Sequence, residues 1–286
     1  MKQAIEMKPV QRTGREISAT TAPEKTGSVL DALRSRIAPQ ERFASAPRPS
    51  FSLGSEALDA ALPGHGLRTG VLHEILPAGH GDFAAGLGFG ICLLARLLCQ
   101  RPGSLLWVSP AHLASREGAL YPLGLAALGL DPNRLIQIQA RKPIDVLWAL
   151  EEGLSHAPIA AVAGILPDSA RAYDFAASRR LALRAARHGV TALILRGRQA
   201  SKESTAAETR WSVASLPAAS AGSGAPRWRL ALIKSRQGMS RHFSSGWDVE
   251  WDHDTLSFRL PAPLADRAPG HTPWRRGIDH AWAEAS

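Results

Sequence analysis

Cysteine is scarce in this chain, with only Cys92 and Cys99 among 286 residues. They lie seven apart in an apolar stretch of helical pattern, which separates their Cα atoms by about 10 Å along the axis, beyond disulfide reach. They read as core thiols in a reducing compartment. Long apolar runs are also missing. The longest, Leu87 to Leu98, is broken by Arg96 and is too short to span a bilayer. The opening MKQAIEMKPVQRTGRE has no apolar centre of the kind a secretory signal needs, so a cytoplasmic protein with no membrane partner is expected. Lysine is rare as well, at 6 of the 34 basic residues, the other 28 being arginine, whose planar fork suits phosphates, carboxylates and flat rings. The ten histidines show no ligand spacing and no Ser/His/Asp set stands out, so neither a metal site nor a catalytic residue is assigned.

What is present is a globular composition, 45% hydrophobic and 21% charged, with 25 acidic residues leaving a net charge of +9. That excludes a disordered chain and leans mildly toward nucleic acid or acidic partners. Residues 1–50 read as a flexible arm with one helix, where Val29, Leu30, Leu33 and Ile37 recur at helical spacing between Ser28 and Pro39. From Phe51, apolar runs at 71–76, 104–109, 135–139, 159–166 and 190–196 alternate with helical patterns at 84–100, 115–128, 143–156 and 171–188. Nearly continuous apolar strands separated by helices indicate an α/β fold with a mostly parallel sheet covered on both faces. The segments 209–216, 227–237, 247–252 and 255–260 instead alternate polar and apolar, as antiparallel strands that extend the sheet. A Pro-rich tail, 261–286, reads as flexible.

The segment Phe51 to Gly86 carries Leu53-Gly54, Leu58-Asp59, Gly64-x-Gly66-Leu67-x-x-Gly70, Glu74-Ile75 and then the turn PAGHGDFAA, which opens a helix. This order resembles the opening of the RecA recombinase core, where a strand leads into a phosphate-binding loop. Such a loop uses backbone N–H groups, a lysine for the β/γ-phosphates and a Ser/Thr hydroxyl for Mg²⁺. Here Gly79 and Gly81 keep the turn, while Asp82 and Phe83 stand where lysine and Ser/Thr belong. A carboxylate repels a triphosphate and phenylalanine holds no metal, so the loop reads as degenerate, with no cofactor and doubtful ATP binding. Taken alone, PAGHG also reads as a plain strand-to-helix turn. Two further absences agree with the degenerate reading: Ala111 falls near the place of the water-activating glutamate, and IAAVAGIL brings no carboxylate before Asp168.

Arginine is concentrated between 171 and 198, with seven residues against the single acid Asp174. Arg180, Arg184 and Arg187 repeat along one helix face beside Arg179, which reads as a DNA-binding stripe or as a solvated face. Arg196 and Arg198 end the next strand at the edge where open α/β sheets take ligands, and Lys202 follows in a segment, 197–208, that reads as a mobile loop. In a RecA-like fold the loop after this strand faces DNA, so the resemblance implies that these three meet DNA through phosphates, without reading its sequence. Lys234-x-Arg236 sits in a second basic run; its likeness to a Lys-x-Lys pair that crosses the subunit interface in RecA filaments implies an interface role, while the residues alone read as protective edge-strand charge.

Together with the loop, SRRLALRAARHGVTALILR (178–196), TAAETRWSVAS (205–215), PRWRLALIKSRQG (226–238) and WDVEW (247–251) resemble the ImuA family of bacterial damage-inducible mutagenesis proteins over roughly 51–260. The resemblance implies a RecA-related, non-catalytic accessory factor in SOS-induced translesion synthesis. Its implied partners are ImuB, an error-prone polymerase α subunit, and RecA or single-stranded DNA, with a homo-oligomer also in view. Arg210, Trp211, Lys234 and Arg236 are then interface candidates, as are the tail anchors Trp274, Arg275, Arg276 and Trp282. Two other readings stand beside this one. The first is a DNA-stimulated RecA-like ATPase with an unconventional loop, the second a SulA-like cell-division inhibitor.

Overall fold

A computed structural model of the chain describes residues 48–113, 118–166, 172–218, 224–238 and 246–261, all within the unit Ala46–Ser286. The proposed arm helix, Asp168, Arg171 and the four tail anchors lie outside the described residues.

Two short strands, β1 (Ser50–Phe51) and β2 (Leu67–Arg68), pair antiparallel around α1 (Glu56–Ala61). Arg48 fastens this segment by donating to the carbonyl of Gly70, just ahead of the strand at Leu72, and to that of Ala186 in the helix Phe175–His188. The main sheet has nine strands: β3 (Leu72–Pro77), β4 (Ser104–Pro110), β5 (Leu135–Ala140), β6 (Ile159–Leu166), β7 (Thr191–Arg196), β8 (Thr209–Ser215), β9 (Arg227–Ser235), β10 (Trp247–Asp252) and β11 (Ser257–Arg259). Their spatial order is β11-β10-β9-β8-β3-β7-β6-β4-β5. The six strands from β8 to β5 run parallel, and β9, β10 and β11 add antiparallel beyond β8. The expected α/β architecture, largely parallel with an antiparallel extension, is therefore present.

Its cause is visible in the burial of each strand. β6 is buried at every position after its first, as a strand covered on both faces must be, whereas β9 alternates. The helices are α2 (Phe83–Gln100), α3 (Pro122–Ala127), α4 (Pro143–Gly153) and α5 (Phe175–His188). α2 packs on one face against β3 and β8, over a core in which Phe89 meets Trp211, Trp228 and Phe258 edge-on or tilted. It is long and apolar enough to cross a membrane, but 56% of it is buried inside the protein, as in an internal helix. α4 and α5 cover the other face, with Leu72, Leu106, Val146, Leu150, Leu181 and Ile194 between them and the sheet.

Two elements differ from the sequence reading. Of the helix expected over 115–128, the described residues 118–128 are helical only in α3, because Gly118 takes a left-handed φ of +91° and Pro122 can only start a helix. α5 begins at Phe175 because the Asp174 carboxylate accepts from the Ala177 N–H at 2.7 Å, an N-cap that fixes where the helix starts.

Candidate functional site at the carboxyl edge of the sheet

The turn from β3 into α2 lies at the carboxyl edge of the parallel strands. Gly81 has φ +92°, which lets residues 78–82 turn back into the helix. Asp82 then does more than repel a phosphate. Its Oδ2 accepts from the Gly79 N–H at 2.9 Å, and its Oδ1 accepts from the Ser215 N–H at 3.0 Å and the Ser215 hydroxyl at 2.8 Å. An amide of the turn that could face an anion is thus already engaged by a carboxylate of the same chain. The hydrogen bond from the Ser215 N–H, aided by those from the Ser215 hydroxyl and the Gly79 N–H, holds the Asp82 carboxyl below the usual carboxylate range. Phe83 is the first residue of α2 and packs on the apolar core. Beyond β4, Ala111 offers no carboxylate, and β6 ends on Leu166. Among the described residues no group of three or more His, Cys, Asp or Glu is placed to hold a metal ion.

The arginines divide into three groups. Arg198 is exposed, and its Nη2 lies 3.3 Å from His80 Nε2, so the loop after β7 touches the apex of the β3 turn. Lys202 is exposed four residues further, and Arg179 is exposed one turn into α5. Arg180 and Arg184 are tied sideways to α4: Arg180 Nε meets Glu151 Oε1 at 3.0 Å, and Arg184 Nη2 lies 3.5 Å from Glu151 Oε2. Arg187 is exposed near the far end of α5, about 12 Å along the axis from Arg179.

Arg196 corrects the sequence expectation. Its side chain is 2% exposed, paired with Glu203 at 2.8 Å and placed 4.5 Å over the Tyr173 ring, so it has no open face for a phosphate. The interface assignment of Arg210 and Trp211 fails for the same reason. Trp211 is 1% exposed and packs in the α2 core, its indole N–H donating to Thr209 Oγ1 at 3.0 Å. Arg210 is buried, and its Nε meets Glu74 Oε2 at 2.7 Å. Lys234 Nζ donates to the Thr205 carbonyl, and Arg236, which is exposed, to the Ala206 carbonyl at 3.3 Å, so both are engaged within their own chain.

These residues have a common task. Segment 197–208, expected to be a mobile loop, is a strap that crosses from the end of β7 to the start of β8. Arg210 Nη1 donates to the carbonyls of Ala200 (2.9 Å) and Glu203 (2.8 Å), Ser178 Oγ accepts from the Ala206 N–H at 3.0 Å, and Thr205 Oγ1 donates to Glu74 Oε1 at 2.7 Å. The Tyr173 hydroxyl gives Glu74 a further bond at 2.6 Å. Glu74, 0% exposed, is therefore the centre of the network. Burial, reinforced by the Glu74 charge, pushes the Tyr173 phenol well up, and burial beside the Arg210 cation lowers the Lys234 ammonium. Sequence reasoning missed this centre, although a lone glutamate inside the apolar run LHEIL was a signal that a buried partner had to exist.

No protein-family profile matches the chain. Protein ImuA of Caulobacter vibrioides, from strain NA1000 / CB15N and from strain ATCC 19089 / CIP 103742 / CB 15, is 33% identical over 238 residues, covering 77% of this chain and 92% of each relative. Ser178, Thr205, Arg210 and Trp211, which lie in the segments that carry the resemblance, fasten the strap and its core. With identity of this level across most of both chains, the protein belongs to the ImuA family.

Proposed function

We propose that this chain is a RecA-like accessory factor of damage-induced, error-prone translesion synthesis that binds DNA without hydrolysing ATP. The strand order β8-β3-β7-β6-β4-β5, with a glycine-containing turn after its central strand β3, supports the RecA-like reading. The observation that carries the rest is the Asp82 carboxylate bound to the Gly79 amide, beside a loop that presents Arg198 and Lys202 to solvent. A closed phosphate turn next to exposed cations suits a binding platform better than an ATPase. DNA contact then falls to Arg179, Arg198 and Lys202, with Arg196 serving only to hold Glu203 and the strap. ImuB and an error-prone polymerase α subunit are the proposed protein partners. The tail residues Trp274, Arg275, Arg276 and Trp282 are the proposed anchors for ImuB.

The decisive measurement is ATP binding and hydrolysis with and without single-stranded DNA, alongside DNA binding by fluorescence anisotropy. The expected outcome is DNA binding with no ATP-dependent shift in melting temperature and no turnover. DNA-stimulated turnover that disappears in the Asp82→Ala variant would establish the ATPase reading instead. Removal of residues 270–286 is expected to abolish capture of ImuB, and unchanged capture would move the partner surface elsewhere.

A further inference from the structure

The two edges of the nine-stranded sheet are built differently. β11 is short, and its Arg259 is bound to Glu250 (3.2 Å) and Asp252 (3.0 Å), a charged edge of the kind that discourages pairing. At the other edge β5 reads LIQIQA, with no charge, no proline and no bulge, and among the described residues no strand pairs with its outer side. Its Ile136 and Ile138 are 47% and 38% exposed, and on α4 beside them Ile144 and Trp148 are 53% and 69% exposed. Between Trp148 and the segment from His156 to Ile159, floored by Leu106, Ile136 and Ile138, runs a groove of about 450 Å³. An open apolar edge of this kind is an association site unless something covers it.

We propose that this edge joins two copies of the chain through antiparallel pairing of β5 with β5 about a two-fold axis. The face is self-complementary, as a two-fold contact must be, because it carries both a protruding Trp148 and a groove beside it. An uncharged strand pairs with itself without placing like charges opposite one another. The same axis runs the two α4 helices in opposite directions. The exposed Arg141 and Lys142 at the start of one helix outnumber the exposed Asp145 of its first turn. They then lie toward the exposed Glu152 near the end of the other, whose carboxylate also lies 3.4 Å from its own His156. The charge pattern thus favours a second copy in this orientation. Apolar contact comes from Ile136, Ile138 and Trp148, and the strand N–H and C=O groups gain partners.

The test is the mass of the full chain by light scattering and analytical ultracentrifugation across a dilution series. The native chain is expected to form dimers. Ile138→Lys and Ile138→Glu, each placing a charge at the edge, are expected to weaken self-association by more than about thirtyfold, as loss of an interface hot spot does. Mixing the two variants is expected to restore dimers, since the opposite charges then face each other. Trp148→Ala, which leaves the strand intact, is expected to weaken association while the melting temperature of the dilute, monomeric chain stays unchanged. A native chain that stays monomeric throughout overturns the proposal, as does a dimer that survives both Ile138 variants. A monomer whose β5 amides nevertheless exchange slowly with deuterated solvent assigns the edge to a different occupant, and also overturns it.

Discussion

Glu74 shows what a single buried charge demands of its neighbours. Its carboxylate accepts from Arg210, Thr205 and Tyr173, contributed by strand β8, the strap and the turn before α5. Removing one partner of a fully buried pair leaves an uncompensated charge, so Arg210→Ala is expected to cost about 3–5 kcal/mol. Urea denaturation of Arg210→Ala, Glu74→Gln and the double variant checks this, and the double variant is expected to lose less than the sum of the two singles. His73 makes a separate prediction about pH. Burial lowers its pKa, while Nε2–H donates to the Arg68 carbonyl and Nδ1 accepts from the Thr209 hydroxyl, which fixes the neutral ring. The unfolded chain takes up a proton below about pH 6.5 and the native chain does so only at lower pH. Stability from this group is therefore complete above that value and falls as the pH drops below it. Thermal unfolding between neutral and mildly acidic pH is expected to show that decline, and His73→Gln is expected to flatten it.

At the scale of the element, the strap is where the sequence was least legible. Strands β3 to β7 could be read from their apolar runs, and β8 to β10 from alternation, because each signal lies within a few consecutive residues. The helix starts shifted only where one residue decided the matter, Asp174 at α5 and Pro122 at α3. The strap offers no such local signal. Its sequence is polar, and its fasteners Glu74, Ser178, Arg210, Lys234 and Arg236 come from separate elements. Read one at a time, charges of this kind look like surface. The bond between Asp82 and Ser215 was hidden for the same reason, since 133 positions separate its ends. Ser178→Ala tests the fastening directly. It leaves the buried Ala206 N–H without an acceptor, at a cost of about 1–3 kcal/mol. Hydrogen exchange is expected to speed up selectively at residues 203–208, with α2 and β6 unaffected.

At the scale of the whole molecule, the count of arginines overstates what a nucleic acid would meet on the described surface. Arg196 and Arg210 are buried, and Arg180 and Arg184 are engaged by Glu151, so among the described residues the cations left at the carboxyl edge are Arg179, Arg198 and Lys202. If DNA binds there as proposed, few phosphate contacts mean a shallow dependence of its affinity on salt. Each contact with single-stranded DNA contributes about 0.7 to the slope of log K against log salt concentration. The Arg198→Ala/Lys202→Ala variant is therefore expected to bind more weakly, with a slope shallower by about 1.4, at an unchanged melting temperature. Arg196→Ala is expected to behave in the opposite way. It removes the partner of Glu203 and the cation over Tyr173, so the melting temperature falls, while the salt slope measured on the protein that remains folded stays as it was. Anisotropy titrations at several salt concentrations, paired with thermal unfolding of the same samples, separate the two kinds of residue. A steeper loss of slope for Arg196→Ala than for the double variant would return the buried arginine to the DNA surface.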